Sequence, residues 1–291
     1  MIHRYVFHNQ QLLPIERMRL SPGQSGLLSG WGLFTTMRVV DGVAFAFERH
    51  WNRLARDAAR THCPFPFQPE IVRVHLGEVL RANVVREGCA RIYVISNQIG
   101  FWRSDEDFGS ADLVITSSGL PSYHDPVRLA LREHGRHAAS PLAGVKTTSW
   151  LANVWSLSEA HRHGYDEALL LNERGEVAEC TSANVFCARG GRVFTPPLSS
   201  GCLAGITREV VMEIGPANGI EVEERALFPA DFYAADEVFI SSTNRSMLNV
   251  SEIAGKKIPI PRESCARKLE KIFNAHVREY VDSRAAVQPK P

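Results

Sequence analysis

The chain has 291 residues, of which 44% are hydrophobic and 22% charged, and its formal net charge at pH 7 is +1. These values are typical of globular proteins and exclude disordered, collagen-like and coiled-coil classes. The balanced charge gives no support to a nucleic-acid or membrane-surface partner, because both usually require a basic face.

The first part of the chain predicts a small α/β domain. Apolar runs bounded by turn residues predict strands at 2–7, 11–13, 33–40, 43–47, 91–96 and 112–116. Asp41-Gly42 lies between two of these runs and is a strong hairpin signal. Apolar residues at helical spacing predict two helices, over 48–61 and about 69–86.

The second part of the chain predicts a larger, β-rich domain. Residues 118–126 differ in composition, so we expect domains at 1–118 and 127–291 with a linker at 119–126. Further strands are expected at 127–133, 167–172, 176–179, 184–188, 192–195, 220–225 and 237–241. Helices are expected at 150–163, 207–218 and 262–281. Strands and helices do not alternate regularly, which favours a two-domain α+β fold.

The cysteines and apolar segments predict a cytoplasmic protein. None of the six cysteines has C-x-x-C spacing, so we expect reduced thiols. The N-terminus lacks the pattern of a signal peptide, and no apolar run approaches the ~20 residues of a membrane helix. The histidines form no cluster with Asp, Glu or Cys, so no metal site is expected.

Lys146 is the first candidate catalytic residue. It is the only lysine among the first 255 residues and lies among small and apolar residues just before a predicted helix. A lysine in a poorly solvated place has a lowered pKa and becomes a usable amine nucleophile. An ordinary surface lysine is the alternative.

Three further features suggest a ligand that carries a phosphate. Glu179 ends a predicted buried strand and needs a partner there, which a protonated ring nitrogen or an arginine would provide. The sequence Gly205-Ile206-Thr207-Arg208 opens a helix, whose first N–H groups bind anions, although simple helix capping gives the same pattern. Arg53 is a second candidate phosphate contact, or a solvated helix residue. An amine nucleophile, a buried carboxylate and a phosphate cradle together suit pyridoxal phosphate.

Over nearly its whole length the sequence resembles the class IV (fold type IV) pyridoxal-phosphate enzymes. These include branched-chain and D-amino acid aminotransferases, (R)-selective amine transaminases and aminodeoxychorismate lyases. The matching stretches are FERHWNRL (47–54), Lys146, GYDEA (164–168), ECTSANVF (179–186), TPP (195–197), GITR (205–208) and ADEVF (235–239). The resemblance implies a small N-terminal α/β domain, a larger β-rich C-terminal cofactor-binding domain, and assembly as homodimers or larger oligomers.

The resemblance also implies roles for individual residues. Lys146 matches the Schiff-base lysine, which also moves the proton between Cα and the cofactor. Glu179 matches the carboxylate that faces the pyridine nitrogen. The remaining residues implied to bind pyridoxal 5'-phosphate are Arg53, Ser182, Asn184, Leu203, Ile206, Thr207 and Thr243. The candidate substrate contacts are Phe34, Arg38, Tyr93 and Asn244, with a structural ion pair as the alternative for Arg38.

The substrate is not implied by any one subgroup. Arg91-Ile92-Tyr93-Val94 matches the D-amino acid pattern only at Tyr93, and Gly100-Phe101-Trp102-Arg103 lacks that group's carboxylate-binding arginine-x-histidine. Phe34-Thr35-Thr36-Met37-Arg38 resembles both lyases and branched-chain enzymes.

Three functions remain open at this point. The first is a ping-pong aminotransferase that moves the amino group of an apolar, branched-chain-like amino acid to a 2-oxo acid. The second is a 4-amino-4-deoxychorismate lyase that releases pyruvate and 4-aminobenzoate. The third is a non-catalytic cofactor-binding protein, which would be expected to lack Lys146 or Glu179. A requirement for 2-oxoglutarate would distinguish the first two.

Overall fold

The chain forms two compact units that interleave along the sequence. The computed structural model describes residues 1–97 and 110–285. Unit 1 consists of Met1–Pro121, Lys146–Trp150 and the chain from Val277 onward, and unit 2 consists of Ser122–Val145 and Leu151–His276. The domain boundaries expected from the sequence stay a prediction. Residues 100–103 lie outside the described residues.

Unit 1 is built on an antiparallel sheet of six strands. They are β1 (Tyr5–His8), β2 (Gln11–Pro14), β3 (Gly32–Val40), β4 (Val43–Ala44), β5 (Gly88–Ser96) and β6 (Ala111–Ser118). Their order in the sheet is β2-β1-β6-β5-β3-β4. The helices of this unit are α1 (Ser25–Leu28), α2 (Phe47–Thr61) and α3 (Pro69–Ala82). The short helix α1 was not predicted, and α3 ends before residue 86, because Val84 has a positive φ of 53° that a right-handed helix does not contain.

Helix α2 buries an unusual set of side chains. Its apolar residues Trp51, Leu54 and Ala58 are buried, as the helical spacing predicts. The same face also buries His50, Arg53 and Asp57. Charged side chains are seldom buried without partners, so this face indicates a functional or ion-pairing role.

Unit 2 contains a mixed sheet of nine strands. They are β7 (Val127–Arg132), β8 (Glu167–Leu171), β9 (Val177–Cys180), β10 (Asn184–Arg189), β11 (Arg192–Thr195), β12 (Val222–Glu224), β13 (Glu237–Ser242), β14 (Ser246–Ile253) and β15 (Lys256–Lys257). The order is β12-β11-β10-β13-β14-β7-β8-β9, with β15 paired to β14. The pairs β7–β8, β7–β14 and β11–β12 are parallel, and the other pairs are antiparallel. Three helices lie between these strands in the chain, namely α4 (Leu151–Arg162), α5 (Ile206–Ala217) and α6 (Pro229–Tyr233). The last helix, α7 (Cys265–Ala285), begins in unit 2, and its residues from Val277 onward belong to unit 1.

Two aromatic rings pack together at the centre of the unit 2 sheet. Phe186 and Phe239 are fully buried and stacked, with ring centroids 4.9 Å apart. The mixture of antiparallel strands and helices confirms the predicted α+β class. All six cysteines are free. No helix in the described ranges is both long and apolar enough to span a membrane.

Candidate active site

The backbone of Lys146 is held against strand β3 of unit 1. Phe34 N–H donates to the Lys146 carbonyl at 3.0 Å, and Thr147 forms a bridge with Leu33, so the segment runs along β3. The side chain is half-buried, with Nζ 4.5 Å from the ring centroid of Phe34 and 5.7 Å from that of Trp150. The structure therefore presents the lysine amine on an aromatic surface rather than in open solvent.

Arg53 belongs to a buried polar cluster between α2 and β3. Its Nη2 donates to Thr35 Oγ1 at 3.0 Å, and the same oxygen lies 2.7 Å from His50 Nδ1. The pKa of His50 lies well below its usual value because the ring is buried and because Arg53 and Lys146 are positively charged. His50 is therefore neutral at pH 7, and the positive charge of this cluster comes from Arg53.

Asp57, which the sequence analysis did not single out, holds the backbone of Lys146. Its Oδ2 accepts the Lys146 N–H at 3.2 Å, and its Oδ1 is buried with no hydrogen-bond partner among the described residues. Burial raises the pKa of this carboxyl above its usual value. Its spacing in the sequence could have identified it, because Asp57 follows Arg53 by four residues and so lies on the same helix face.

The pKa of Asp57 predicts a pH-dependent difference in stability. A raised native pKa means that the native state binds the proton more tightly than the unfolded chain does, so this carboxyl's stabilising contribution falls as pH rises through the native pKa. Asp57→Asn keeps an acceptor for Lys146 N–H but does not titrate. We expect the variant to gain thermal stability relative to the wild type as the pH rises above about 4, the ordinary pKa of an aspartate.

A second aspartate provides the control for this measurement of unfolding temperature against pH. Arg278 and Arg86 lower the pKa of the exposed Asp41 carboxyl, so Asp41→Asn should show the opposite trend, with the wild type losing its advantage as pH falls. Subtract the unfolding temperature of the wild type from that of Asp57→Asn. If this value stays constant or increases as the pH falls, the assignment is contradicted.

Glu179 in unit 2 is paired with an arginine, which is one of the two partners expected from the sequence. Arg136 Nε donates to Glu179 Oε1 at 3.0 Å, and Leu203 N–H donates to Oε2 at 3.1 Å. Arg136 is itself held by Asn153, whose Oδ1 accepts from Nη1 at 3.0 Å. Two donors fix the carboxylate, yet its lone pairs leave room for one more, such as a ring N–H. Sequence analysis missed Arg136, because no local signal distinguishes it from the many other arginines.

The start of α5 is arranged to accept an anion. Gly205 precedes the helix, and a Cβ there would overlap Asn184 Oδ1, so a larger residue would displace the Asn184 amide. Asn184 Nδ2 in turn donates to the carbonyl of Leu203 at 2.9 Å. No side chain caps the helix, and Ile206 and Thr207 at its first positions are buried. The backbone N–H groups at such an end lack intrahelical acceptors and favour a negatively charged ligand.

Among the described residues, three buried polar atoms without a partner lie in and beside the turn between β13 and β14. Ser241 Oγ, Asn244 Oδ1 and Ser246 Oγ are buried and make no hydrogen bond within the described part of the chain. Ser241 is the cross-strand neighbour of Asn184, which places this turn and the α5 contacts in one region of unit 2. Buried polar atoms nearly always have a partner, so these atoms indicate a missing polar ligand or water. Thr243, half-buried, lies in the same turn.

Ser182 is held in a buried ion-pair network. Its Oγ donates to Glu167 Oε2 at 2.7 Å and accepts from Arg245 Nη1 at 2.9 Å. Arg245 also pairs with Glu167 at 3.1 Å. The network ties the end of β9 to the β13–β14 turn, so Ser182 has a positioning role in the described structure.

The candidate substrate residues of unit 1 share one face of the sheet. Phe34 and Tyr93 are cross-strand neighbours, and their rings stack with centroids 5.8 Å apart. Arg38 lies on the same face of β3, and its Nε is buried without a partner in the described ranges. Within the described ranges no carboxylate pairs with Arg38, so the structural ion pair that was its alternative role does not form there. Asn244, the fourth candidate, lies in the unit 2 turn.

Comparison with known proteins gives the family of this chain. The family model "Amino-transferase class IV" matches residues 32–253. A putative branched-chain-amino-acid aminotransferase of Methanocaldococcus jannaschii is 31% identical over 259 residues, covering 87% of this chain and 89% of the relative. The crystal structure of a branched-chain aminotransferase from Thermoproteus uzoniensis with norvaline has a TM-score of 0.88 at 28% identity and covers 96% of both chains. A further branched-chain amino acid aminotransferase (T.th.), complexed with N-(5'-phosphopyridoxyl)-L-glutamate, has a TM-score of 0.86 at 25% identity, covering 96% of this chain and 95% of that one.

Proposed function

This chain belongs to the amino-transferase class IV family, and we propose that it transfers the amino group of an apolar, branched-chain-like amino acid to a 2-oxo acid with pyridoxal 5'-phosphate as cofactor. The observation that carries the proposal is the placement of Lys146. Its backbone is fixed to β3, and its amine lies 4.5 Å from the Phe34 ring centroid. No observation on the described residues favours the lyase.

The residues present fit this cofactor. We assign its phosphate to Arg53, to the N–H groups of Ile206 and Thr207, and to Thr243. The uncapped start of α5 and the buried, partnerless Ser241 hydroxyl support an anion at the unit 2 part of this set. We assign the pyridine nitrogen to Glu179 and the ring face to Leu203, with Ser182 and Asn184 nearby.

Lys146 and Glu179 have the central chemical roles in this proposal. When bound, the cofactor supplies an aldehyde that condenses with amines and a ring that delocalises the charge left when Cα loses its proton. Lys146 would hold the cofactor through its amine, and the same Nζ would take up and return the proton that the donor's Cα loses. Glu179 stabilises the proton on the ring nitrogen, which increases the capacity of the ring to accept electrons. A 2-oxo acid then passes through the same steps in reverse.

Substrate stoichiometry tests the proposal and separates it from the lyase. With a branched-chain amino acid and no acceptor, we expect one equivalent of 2-oxo acid per active site, and continuous turnover only after 2-oxoglutarate is added. Release of pyruvate from 4-amino-4-deoxychorismate without any acceptor, together with no reaction of amino acids, would contradict the aminotransferase assignment.

We further propose that the protein is a homodimer, which the exposed face of α4 supports. This helix exposes Leu151, Val154 and Trp155 while it buries the polar residues Asn153 and Ser156. That pattern is the reverse of an ordinary surface helix and is typical of an interface with a partner. A second copy of this chain is the partner that the family resemblance supports.

A double substitution on α4 tests the homodimer. The double variant Val154→Glu/Trp155→Glu should be a monomer, because two carboxylates would be buried without partners in the interface. Light scattering measures the molar mass that distinguishes the two states. Asn274→Glu on the exposed face of α7 is the control and should leave the dimer intact. A monomeric wild type, or a dimer that persists in the double variant, would contradict this interface.

The proposed partners are small molecules, namely an amino acid and a 2-oxo acid, without nucleic acid or membrane. The free state of all six cysteines supports a reducing compartment. We therefore place the activity in the cytoplasm.

A further inference from the structure

Helix α2 holds one carboxyl group that the proposed chemistry does not use. Asp57 is 1% exposed, so the group is almost completely buried. Its Oδ2 accepts the backbone N–H of Lys146 at 3.2 Å, whereas Oδ1 is buried and has no hydrogen-bond partner among the described residues. Asp57 therefore has one oxygen in use and one oxygen that is able to carry a proton.

The charged groups near Asp57 on its own helix are positive. Arg53, Arg56 and Arg60 all attract its carboxylate, and Arg53 has the largest effect of the three. Arg53 precedes Asp57 by four residues, so the two side chains are neighbours on one face of α2. Burial nevertheless outweighs these attractions and raises the pKa of Asp57 above its ordinary value. The protonation of Asp57 therefore depends on how much positive charge the arginines supply.

Strand β3 and the segment at Lys146 also face this part of α2. Thr35 of β3 contacts the helix, and Met37 and Val39 share its side of the strand, but none of these side chains is charged. The Lys146 amine is a positive charge that acts on α2, where it lowers the pKa of His50. His50 is neutral, so Lys146 is the one charge that these two elements add in the described ranges.

Two other helices bring charged groups to the beginning of α2. Arg73 of α3 and Arg284 of α7 both pair with Glu48, which lies nine residues before Asp57. Tyr280 of α7 donates to the same carboxylate at 2.7 Å. These charges offset one another at Glu48, so the arginines of α2 and Lys146 dominate the field at Asp57.

An anion bound to Arg53 would change this balance. Its negative charge offsets that of the guanidinium, so Arg53 no longer stabilises the ionised form of Asp57. The anion also repels the buried carboxylate directly, and this repulsion is weakly screened away from water. Both effects favour the protonated carboxyl, which carries no charge.

We propose that Asp57 makes the anion site at Arg53 proton-linked, so that the anion binds together with one proton, which Asp57 Oδ1 takes from solvent. Oδ2 keeps its bond to the Lys146 N–H in both states, so proton uptake does not release the segment that carries the lysine. The inference rests on the proposed function, which assigns the cofactor's phosphate to Arg53. A site that takes up a proton with its ligand loses affinity as the pH rises.

Sulfate is the probe that tests this linkage. It keeps two negative charges throughout the range in which carboxylates titrate, and it does not condense with an amine. Equilibrium dialysis of the cofactor-free, full-length protein gives its affinity at each pH. At about pH 8 we expect Asp57→Asn to bind sulfate about ten- to a hundredfold more tightly than the wild type, because the amide carries no charge. The two affinities should converge as the pH falls towards about 4, which also shows that the variant is folded.

Two further variants serve as controls. Asp41 is an exposed aspartate of the same unit that pairs with Arg86 at 3.2 Å, so Asp41→Asn should bind sulfate like the wild type at every pH. Arg53→Gln should weaken sulfate binding at least about tenfold, which locates the probe. The same pH dependence in the wild type and Asp57→Asn, sulfate binding that persists in Arg53→Gln, or no binding by the wild type at about pH 5 would overturn the inference.

The two proposals fail in different ways. If sulfate binding depends on Arg53 and Asp57 as described but no amino acid yields a 2-oxo acid, then the aminotransferase proposal fails and the proton-linked anion site stands. If branched-chain donors react but Asp57→Asn leaves the pH dependence of sulfate binding unchanged, then only the inference fails.

Discussion

Lys146→Ala should reduce transamination by about 10⁴-fold or more, because the substitution removes both the amine that condenses with the cofactor and the base that moves the Cα proton. The fold should tolerate the change. The backbone bonds that tie residues 146–148 to β3 and the Asp57 contact to the Lys146 N–H do not involve the side chain. The rate of 2-oxo acid formation from a branched-chain donor is the measurement.

Lys271→Ala is the control for this substitution. Lys271 is an exposed lysine of α7, so we expect wild-type rates from its variant. Retention of a tenth or more of the wild-type rate by Lys146→Ala would refute the role given to this lysine.

Glu179→Gln is the second substitution with a large expected effect. The amide has nearly the shape of the carboxylate but lacks its charge, so it no longer stabilises a proton on the ring nitrogen. Loss of one charge-stabilising group of this kind is expected to slow the half-reaction by about 10²–10³-fold. The variant should also be less stable by about 3 kcal/mol, because Arg136 keeps a largely buried charge without its ionic partner.

Glu176→Gln separates the chemical effect from the effect on stability. Arg174 holds the pKa of Glu176 at about 2, so this residue also is an ion-paired glutamate of unit 2. Its substitution should lower the unfolding temperature but leave the half-reaction rate unchanged. A Glu179→Gln variant that reacts at the wild-type rate would show that the carboxylate does not act on the ring nitrogen.

The sequence predicted the residues whose chemistry is unusual for their position. Lys146 was found because lysine is absent from the rest of the first 255 residues, and Glu179 because a carboxylate ends a buried strand. The start of α5 followed from its Gly-Ile-Thr sequence. In each of these cases a local signal marked a candidate residue, and the family resemblance then implied its role.

What the sequence did not predict depends on long-range pairing. Strand β14 was missed because Asn249, Ser251 and Glu252 interrupt its apolar pattern, although most of the strand is buried. Asp57 was not singled out, since the partner of its carboxylate is the backbone N–H of Lys146, 89 positions along the chain. Such contacts join residues that are 50 or more positions apart, or set the register between strands, and neither is encoded in local periodicity.

Reductive trapping tests the central claim most directly. The chain has only six lysines, so borohydride reduction of the cofactor-loaded protein followed by peptide mass spectrometry can assign the bond without ambiguity. We expect one pyridoxyl group per chain, on Lys146, and its loss when a branched-chain donor is added before the reduction. A pyridoxyl group on any other lysine, or a protein that takes up no cofactor, would contradict the account.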